Sequence, residues 1–137
     1  MTLPGHTDPS GARPDVELRL PADGAFVSVL RTLTAGLAAR LDFTIDDIED
    51  LRMAVGEACA MVLPEADPGT DLTGRFVLAP GRLTVSVAVG ASQPSPPDHD
   101  SFAWQVLTTL ASSATVSTAE GELVVTLVMT PDAATGA

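Results

Sequence analysis

The chain alternates between two hydrophobic periods, and the changes of period divide it into elements. Apolar residues recur every three or four positions over 23–41 and again over 45–63, which is typical of helices with one buried face. The first stripe is Phe26, Leu30, Leu33, Leu37 and Leu41, and the second is Ile48, Leu51, Val55, Cys59 and Val62. Asp23 and Thr44 are the predicted N-caps, and Pro64 is the predicted stop of the second helix.

A period of two predicts five strands in the rest of the chain. They fall at 15–20, 72–79, 82–89, about 114–118 and 122–130, with one more helix at 101–111. The loops are 64–71 and the proline-rich segment 91–100. The predicted order is β-α-α-β-β-α-β-β. Such an order favours an α/β (α+β) two-layer sandwich, in which every helix covers one face of a largely antiparallel sheet.

Both ends of the chain lack hydrophobic periodicity. Residues 1–14 and 131–137 are rich in small and polar residues, so we expect flexible tails around a single domain at 15–130. The first fourteen residues have neither the basic nor the apolar segment of a secretion signal, and no apolar run approaches the ~18 residues of a membrane span. The expected location is cytoplasmic, without membrane contact.

The charge and the residue types exclude several classes of function. Seven basic and eighteen acidic side chains give a net charge of −11, which repels DNA and RNA. Every basic residue is an arginine, so P-loop and Schiff-base chemistry, which need a lysine, are excluded. A single cysteine, Cys59, supports neither a disulfide framework nor a zinc cluster, and its place in a helix predicts a buried structural thiol.

The remaining polar clusters carry little chemistry. His6 lies in a predicted tail and His99 lies in the proline-rich loop between Asp98 and Asp100, so neither histidine is placed for nucleophilic catalysis, and a metal site there is weakly supported. The second helix opens with an acidic run, Asp46, Asp47, Glu49 and Asp50. This run either stabilises the helix N-terminus or forms a docking face for a basic partner.

The most informative stretch is IDDIEDLRMAVGEACAMVL, residues 45–63. Glu57 and Met61 lie four residues apart, so they share one face of the helix and are expected to point at the same site. A carboxylate and a thioether make a poor pair for catalysis or for metal binding.

Together with LPADGAFVSVLRTLTAGLAARLDFT before it, this stretch resembles the first two helices of anti-sigma-factor serine kinases of the RsbW and SpoIIAB type. The resemblance extends over about 16–130. It implies the GHKL or Bergerat-like histidine-kinase-ATPase fold, which agrees with the order of elements above. Members of the family bind a sigma factor, and many phosphorylate an anti-anti-sigma partner on serine. The run SFAWQVLTTLA is similar to the shortened UsfX-like subgroup.

Within this resemblance, the nucleotide site is degenerate. Glu57 matches the catalytic-base glutamate, but Met61 stands where the family has the asparagine that holds magnesium. Val89 stands in place of the aspartate that recognises adenine, and a valine accepts no hydrogen bond from an amino group.

The glycine-rich segment that surrounds the phosphates is also lost. Asp100, Ser101 and Ala103 occupy its positions, and an acid there repels phosphate. The resemblance therefore implies an anti-sigma factor without a cofactor. The alternative is an active ATP- and magnesium-dependent serine kinase around Glu57, and a third reading is an antagonist-type protein that binds only other regulators.

The resemblance also places the partner surface on the polar face of the first helix. The residues are Ser28, Arg31, Thr32, Ala35 and Arg40. We expect Arg31 to pair with a sigma-factor carboxylate, and we expect Arg31→Ala, but not Glu57→Ala, to weaken binding. A homodimer is expected as well, because such proteins commonly pair and because the sheet has edge strands.

Overall fold

Five antiparallel strands form one sheet, and three helices pack on one of its faces. The computed structural model describes residues 13–95 and 98–131. The strands are β1 (Val16–Pro21), β2 (Asp71–Ala79), β3 (Arg82–Gly90), β4 (Ser113–Ala119) and β5 (Glu122–Met129). The helices are α1 (Val27–Arg40), α2 (Ile45–Val62) and α3 (Phe102–Leu110), with 3-10 turns at Gly24–Phe26 and Leu63–Glu65. The strand order is β1-β2-β3-β5-β4.

This architecture confirms the predicted fold class and the predicted order of elements. The observed bounds differ from the predicted ones by one or two residues, except at the start of the first helix. Most of the two predicted tails, together with His6, lies outside the described residues. No helix in the described part of the chain has the length and apolarity needed to cross a membrane.

The two predicted N-cap residues begin different elements, one an α-helix and the other a 3-10 turn. The Thr44 hydroxyl accepts a hydrogen bond from the Asp47 backbone N–H at 3.1 Å and starts α2 as predicted. The Asp23 carboxylate instead accepts from the Ala25 N–H at 2.9 Å and starts the 3-10 turn, so α1 begins only at Val27.

The buried stripe of α1 was predicted only in part. Leu30 is fully buried as predicted, but the buried line continues through Thr34 and Ala38. The leucines Leu33, Leu37 and Leu41 are only partly buried. Small side chains on this line permit close packing, and the Thr34 hydroxyl is satisfied because it donates to the Leu30 carbonyl at 2.8 Å. On β2, a Cβ at Gly74 would lie 2.5 Å from Leu30 Cδ1, so a larger residue there would force the fully buried Leu30 side chain to shift.

The core lies between the helices and the inner face of the sheet. Four residues of the predicted α2 stripe, Leu51, Val55, Cys59 and Val62, are completely buried, and the fifth, Ile48, is partly buried. The sheet contributes Leu72, Phe76, Leu83, Val85, Val87, Val89, Leu123, Val125 and Leu127. The outer face of the sheet has no helix over it among the described elements, and it carries small polar side chains, such as Ser86 and Thr126, whose hydroxyl oxygens are 3.1 Å apart.

Candidate functional site

Two cavities border α2, and they are separated along the helix. The first, which we name the Arg31 cleft, has a volume of about 360 Å³ and is lined by Val27, Arg31, Met53, Gly56, Glu57 and Val106. The second, the Met61 cavity, has a volume of about 200 Å³. Its lining residues are Met61, Val62, Glu65, Ser95, Asp98, Ser101, Val116, Leu123 and Val125.

Glu57 and Met61 were expected to point at one site, and this expectation is wrong. Glu57 lines the Arg31 cleft, whereas Met61 lines the other cavity. The cause is α3, which packs against α2. Its N-cap residue Ser101 lies at the Met61 cavity and Val106 lies at the Arg31 cleft, so consecutive turns of α2 face different cavities.

The Met61 cavity has an apolar floor and a polar rim. Val116 from β4 pairs with Val125 from β5, and both lie in the floor together with Leu123. On the rim, the Ser101 hydroxyl accepts a hydrogen bond from the Trp104 N–H at 3.1 Å and thereby caps α3.

Two carboxylates fasten the first half of the proline-rich loop beside this cavity. Glu65 Oε1 accepts a hydrogen bond from the Ser95 N–H at 2.6 Å. The Asp67 carboxylate accepts from the Ser92 N–H at 2.9 Å and from the Ser92 hydroxyl at 3.2 Å. The sequence analysis missed both acids, because a side chain that caps a segment about thirty residues away leaves no local pattern.

The other residues of the predicted nucleotide site do not converge. Val89 is 1% exposed and sits in the core between its strand neighbours Leu72 and Leu123. Asp100 is exposed, its N–H donates to Asp98 Oδ1 at 2.9 Å, and it does not line the Met61 cavity. Ala103 is partly buried in the first turn of α3, also outside the lining.

Only Met61 and Ser101 of the predicted set therefore share a cavity. The Met61 thioether is a poor ligand for Mg²⁺, which prefers oxygen ligands, and the carboxylates of Glu65 and Asp98 beside it repel phosphate. The described residues contain no group of three His, Cys, Asp or Glu side chains that converges on a possible metal position. His99 instead stacks edge to face on Trp104, with the ring centroids 4.8 Å apart.

Arg31 is the chemically unsatisfied group of the other cavity. Its aliphatic part lies over α2, where a Cβ at Gly56 would be 3.6 Å from Arg31 Cδ. Its Nε is buried and has no hydrogen-bond partner among the described residues. Glu57 lines the same cleft, yet no ion pair joins it to Arg31 among the salt bridges of the described chain.

The positive charge of Arg31 acts on the single thiol of the chain but does not make this thiol reactive. Cys59 is fully buried on α2. Burial raises the pKa of the Cys59 thiol from 9.0 to about 12, although the positive charge of Arg31 acts in the opposite direction. The thiol is therefore neutral near pH 7 and is not a nucleophile, as its sequence position predicted.

Large apolar side chains are exposed on the helical side of the molecule. Met53, at the Arg31 cleft, is 52% exposed, and Val29 on α1 is 45% exposed. Ile45 and Phe102 are exposed as well. Of the predicted partner residues, Ser28, Thr32 and Arg40 are exposed, and Arg31 and Ala35 are partly buried. Met53 and Val106, which the sequence analysis did not single out, complete the cleft around Arg31.

Comparisons with known proteins agree with the fold. No protein-family profile matches the chain. It is 41% identical over 73 residues to the serine-protein kinase RsbW of Halalkalibacterium halodurans, over 53% of this chain and 45% of that protein. It is 37% identical over 76 residues to the serine-protein kinase RsbW of Bacillus subtilis, over 53% and 48% of the two chains. The match thus spans about half the length of these relatives.

A solved structure extends the similarity to most of the described fold. The crystal structure of the RsbU and RsbW domains of a Mycobacterium tuberculosis protein superposes with a TM-score of 0.66 at 17% identity, over 87% of this chain and 33% of that one. At this identity the similarity shows the fold alone. The chain is therefore similar in sequence to RsbW serine-protein kinases over about half of its length, and it has the fold of an RsbW domain.

Proposed function

We propose that this protein is an anti-sigma factor that binds an alternative sigma factor through the Arg31 cleft, represses the transcription that depends on it, and works without ATP. The observation that carries the proposal is Arg31 itself, which lies in a cleft next to an exposed methionine, has no carboxylate within salt-bridge distance among the described residues, and has a buried Nε without a hydrogen-bond partner there. A buried N–H without an acceptor costs about 1–3 kcal/mol, so a partner that supplies a carboxylate there gains more than it would at a surface arginine.

The apolar surroundings of Arg31 favour a protein partner over a small anion. Met53, Val27 and Val106 line the cleft with Arg31 and offer apolar contact area beside the charge, and such an arginine with apolar neighbours is typical of an interface anchor. The net charge of −11 also argues against direct binding to nucleic acid. A cytoplasmic site of action follows from this proposal, because a sigma factor acts there.

The loss of ATP binding is the second part of the proposal. The Met61 cavity, at about 200 Å³, is smaller than the ~300–1,000 Å³ that is usual for ligand pockets. Its lining offers carboxylates where phosphate needs donors, and Val89 is sealed in the core where adenine needs an acceptor. Membership of the UsfX-like subgroup would agree with this reading and stays a prediction.

The alternative function is a serine kinase, and the relatives named as serine-protein kinases favour it. Glu57 would then be the base, although it lies apart from Met61. Calorimetric titration with ATP and magnesium separates the two functions. A micromolar dissociation constant, or transfer of phosphate to serine of any anti-anti-sigma protein, would establish the kinase and overturn the loss of ATP binding.

The binding proposal is tested by capturing partners on the tagged protein in its native cytosol and by measuring the affinity of the sigma factor found there. Arg31→Met keeps the aliphatic stem and is expected to weaken that affinity at least tenfold. Arg82→Met, at the exposed first residue of β3, is the matched control and leaves the affinity unchanged. No sigma factor in the capture, or an equal affinity of both variants, contradicts the proposal.

The earlier expectation for Glu57 changes with the structure. Because Glu57 shares the cleft with Arg31, Glu57→Ala is not a neutral control. We expect Glu57→Gln to strengthen sigma-factor binding about two- to threefold, since it removes a charge that repels a partner carboxylate. The control for the old nucleotide site is Met61→Leu, which alters the other cavity and leaves sigma-factor affinity unchanged.

The homodimer remains a prediction of the same proposal. β1 and β4 are the edge strands of the described sheet, and each has one side without a neighbouring strand. Light scattering at micromolar concentration is expected to give twice the chain mass of 14.0 kDa. A mass of one chain that does not change with concentration would contradict it.

A further inference from the structure

We propose that the Met61 cavity binds a small cationic amphiphile, which we define as a molecule with one apolar ring or branched chain and one amino group. This ligand class differs from a nucleotide in charge and in size. The proposal rests on the shape and chemistry of the cavity and is independent of the partner that occupies the Arg31 cleft.

The volume of the Met61 cavity and its apolar floor determine which apolar group of a ligand fits there. An apolar cavity of about 150 Å³ is large enough to hold benzene, so the observed 200 Å³ accommodates one ring with a short substituent. Val116, Leu123 and Val125 form an apolar floor on the sheet, and Val62 closes it from α2. Met61 suits such a ligand because its thioether is flexible and makes favourable contacts with aromatic rings.

The charged residues at the rim of the Met61 cavity determine which ligand charge is favoured. Glu65 and Asp98 place two carboxylates at the cavity, and no arginine is among its lining residues. One oxygen of Glu65 accepts the Ser95 N–H, and its other oxygen accepts no hydrogen bond from the described residues. An ammonium group at this rim therefore gains an acceptor and an opposite charge, whereas a carboxylate or phosphate is repelled.

The part of the rim that contains Glu65, Ser95 and Ser101 is held in place before any ligand arrives. The hydrogen bond from Ser95 to Glu65 and those from Ser92 to Asp67 fasten the loop to the segment that follows α2. Ser101 is fixed as the N-cap of α3. Because this part of the rim is preorganised, the ligand does not meet the entropic cost of ordering it, which favours binding even for a small molecule.

The test uses methyl NMR with ¹³C-labelled methionine, because the four methionines include one in each cavity. Benzylamine is the probe, benzyl alcohol is the neutral analogue and benzoate is the anionic one. We expect benzylamine to shift the Met61 methyl signal saturably, with half-saturation at roughly 1 mM, and to leave the Met53 signal in place. Benzoate is expected to bind at least tenfold more weakly.

Two variants test separately whether the apolar floor and the acidic rim of the Met61 cavity contribute to ligand binding. Val116→Phe fills the cavity and is expected to abolish the response to both benzylamine and benzyl alcohol, while an unchanged Met129 signal shows that the core is intact. Asp98→Asn is expected to weaken benzylamine about three- to fivefold and to leave benzyl alcohol unchanged. The titrations of the wild-type protein test the proposal even if a variant does not fold. An unmoved Met61 signal, an equal shift of Met53, or benzoate binding as tightly as benzylamine overturns the proposal.

Discussion

Arg31 and Arg75 are both partly buried arginines on the same small domain, and they differ in whether the chain itself satisfies their charge. Arg75 lies on the outer face of the sheet, opposite Glu17 in the register of β1 and β2. Its Nη2 is 3.0 Å from Glu122 Oε2, and its Nε is 3.4 Å from Glu17 Oε1, without hydrogen-bond geometry at Nε. Arg31 has no such carboxylate among the described residues.

The two environments act differently on the guanidinium. Burial tends to lower the pKa of Arg75, but the hydrogen bonds that it donates to Glu122 and the negative charges of Glu122 and Glu17 outweigh burial and raise it. The chain therefore uses Arg75 to join three strands of its own sheet, since the side chain crosses β3 to reach Glu122 on β5. Arg31 makes no equivalent bond, and the helical side around it also exposes apolar side chains. The buried Nε without a hydrogen bond is common to Arg31, Arg52 and Arg75, so the difference lies in the carboxylates: Arg75 has two within the fold, whereas Arg31 has none and can pair with a carboxylate of a partner.

The largest expected effect on stability concerns the packing of α1 on the sheet, which positions Arg31 in its cleft. Gly74→Val places a side chain against Leu30, whose Cδ1 would be 2.5 Å from the new Cβ. We expect a loss of about 3 kcal/mol in the free energy of unfolding, measured by urea denaturation. The control is Thr73→Val, one residue away on the opposite face, which is expected to cost less than about 1 kcal/mol. Equal stability of the two variants would contradict this account of the packing.

The comparison of the two arginines is tested directly by replacing each with methionine. Arg75→Met leaves Glu17 and Glu122 without their shared counter-charge and is expected to lower the unfolding free energy by about 1–2 kcal/mol, after allowance for partial solvent screening. Arg31→Met removes an unsatisfied buried Nε, so stability is expected to stay the same or rise slightly. Urea denaturation of both variants is the measurement. A larger loss for Arg31→Met would mean that Arg31 is structural.

Alkaline pH gives a third test, which concerns the core beside Arg31. The folded pKa of Cys59, about 12, lies above the ordinary 9.0, so the thiol contributes equally to stability at any pH below 9 and the protein loses stability as the pH rises further. The expected loss is about 1.4 kcal/mol between pH 8 and pH 10.

The composition makes this pH test unusually clean. The chain has no lysine, no tyrosine and one cysteine, so Cys59 is the only side chain with an ordinary pKa in that window. Cys59→Ala is the control, and its unfolding free energy is expected to be flat over the same range. A wild-type curve as flat as that of Cys59→Ala would show that the thiol is not buried in solution.

The smallest effect is expected for an arginine whose pair lies at the surface. Arg52 Nη1 is 3.0 Å from Glu49 Oε2 on α2, where both side chains are partly exposed. Such a pair contributes about 0.3–0.5 kcal/mol, so Arg52→Ala is expected to change stability by no more than that, and 1 M salt is expected to remove the difference. A loss of unfolding free energy as large as that of Arg75→Met would mean that solvent exposure does not make the Arg52–Glu49 pair weaker than the ion pairs of Arg75.

The sequence by itself determined the elements of the fold, because their signals are local. Alternation of apolar residues predicts the strands, Pro64 marks the end of α2 to within two residues, and Thr44 begins α2 as predicted. The α2 stripe also follows from spacing alone. The α1 stripe fails in part, because tertiary packing, which spacing does not encode, buries the line through Thr34 and Ala38 and leaves Leu33, Leu37 and Leu41 only partly buried.

The tertiary structure alone decided which of these residues meet. Arg75 and Glu122 are 47 residues apart, and only the register of three strands brings them together. Glu57 and Met61 share a helix face by spacing, yet α3 packs against that face and assigns them to different cavities. Periodicity reports which side of an element is buried, whereas a site depends on contacts between distant segments, which packing fixes and no local pattern encodes.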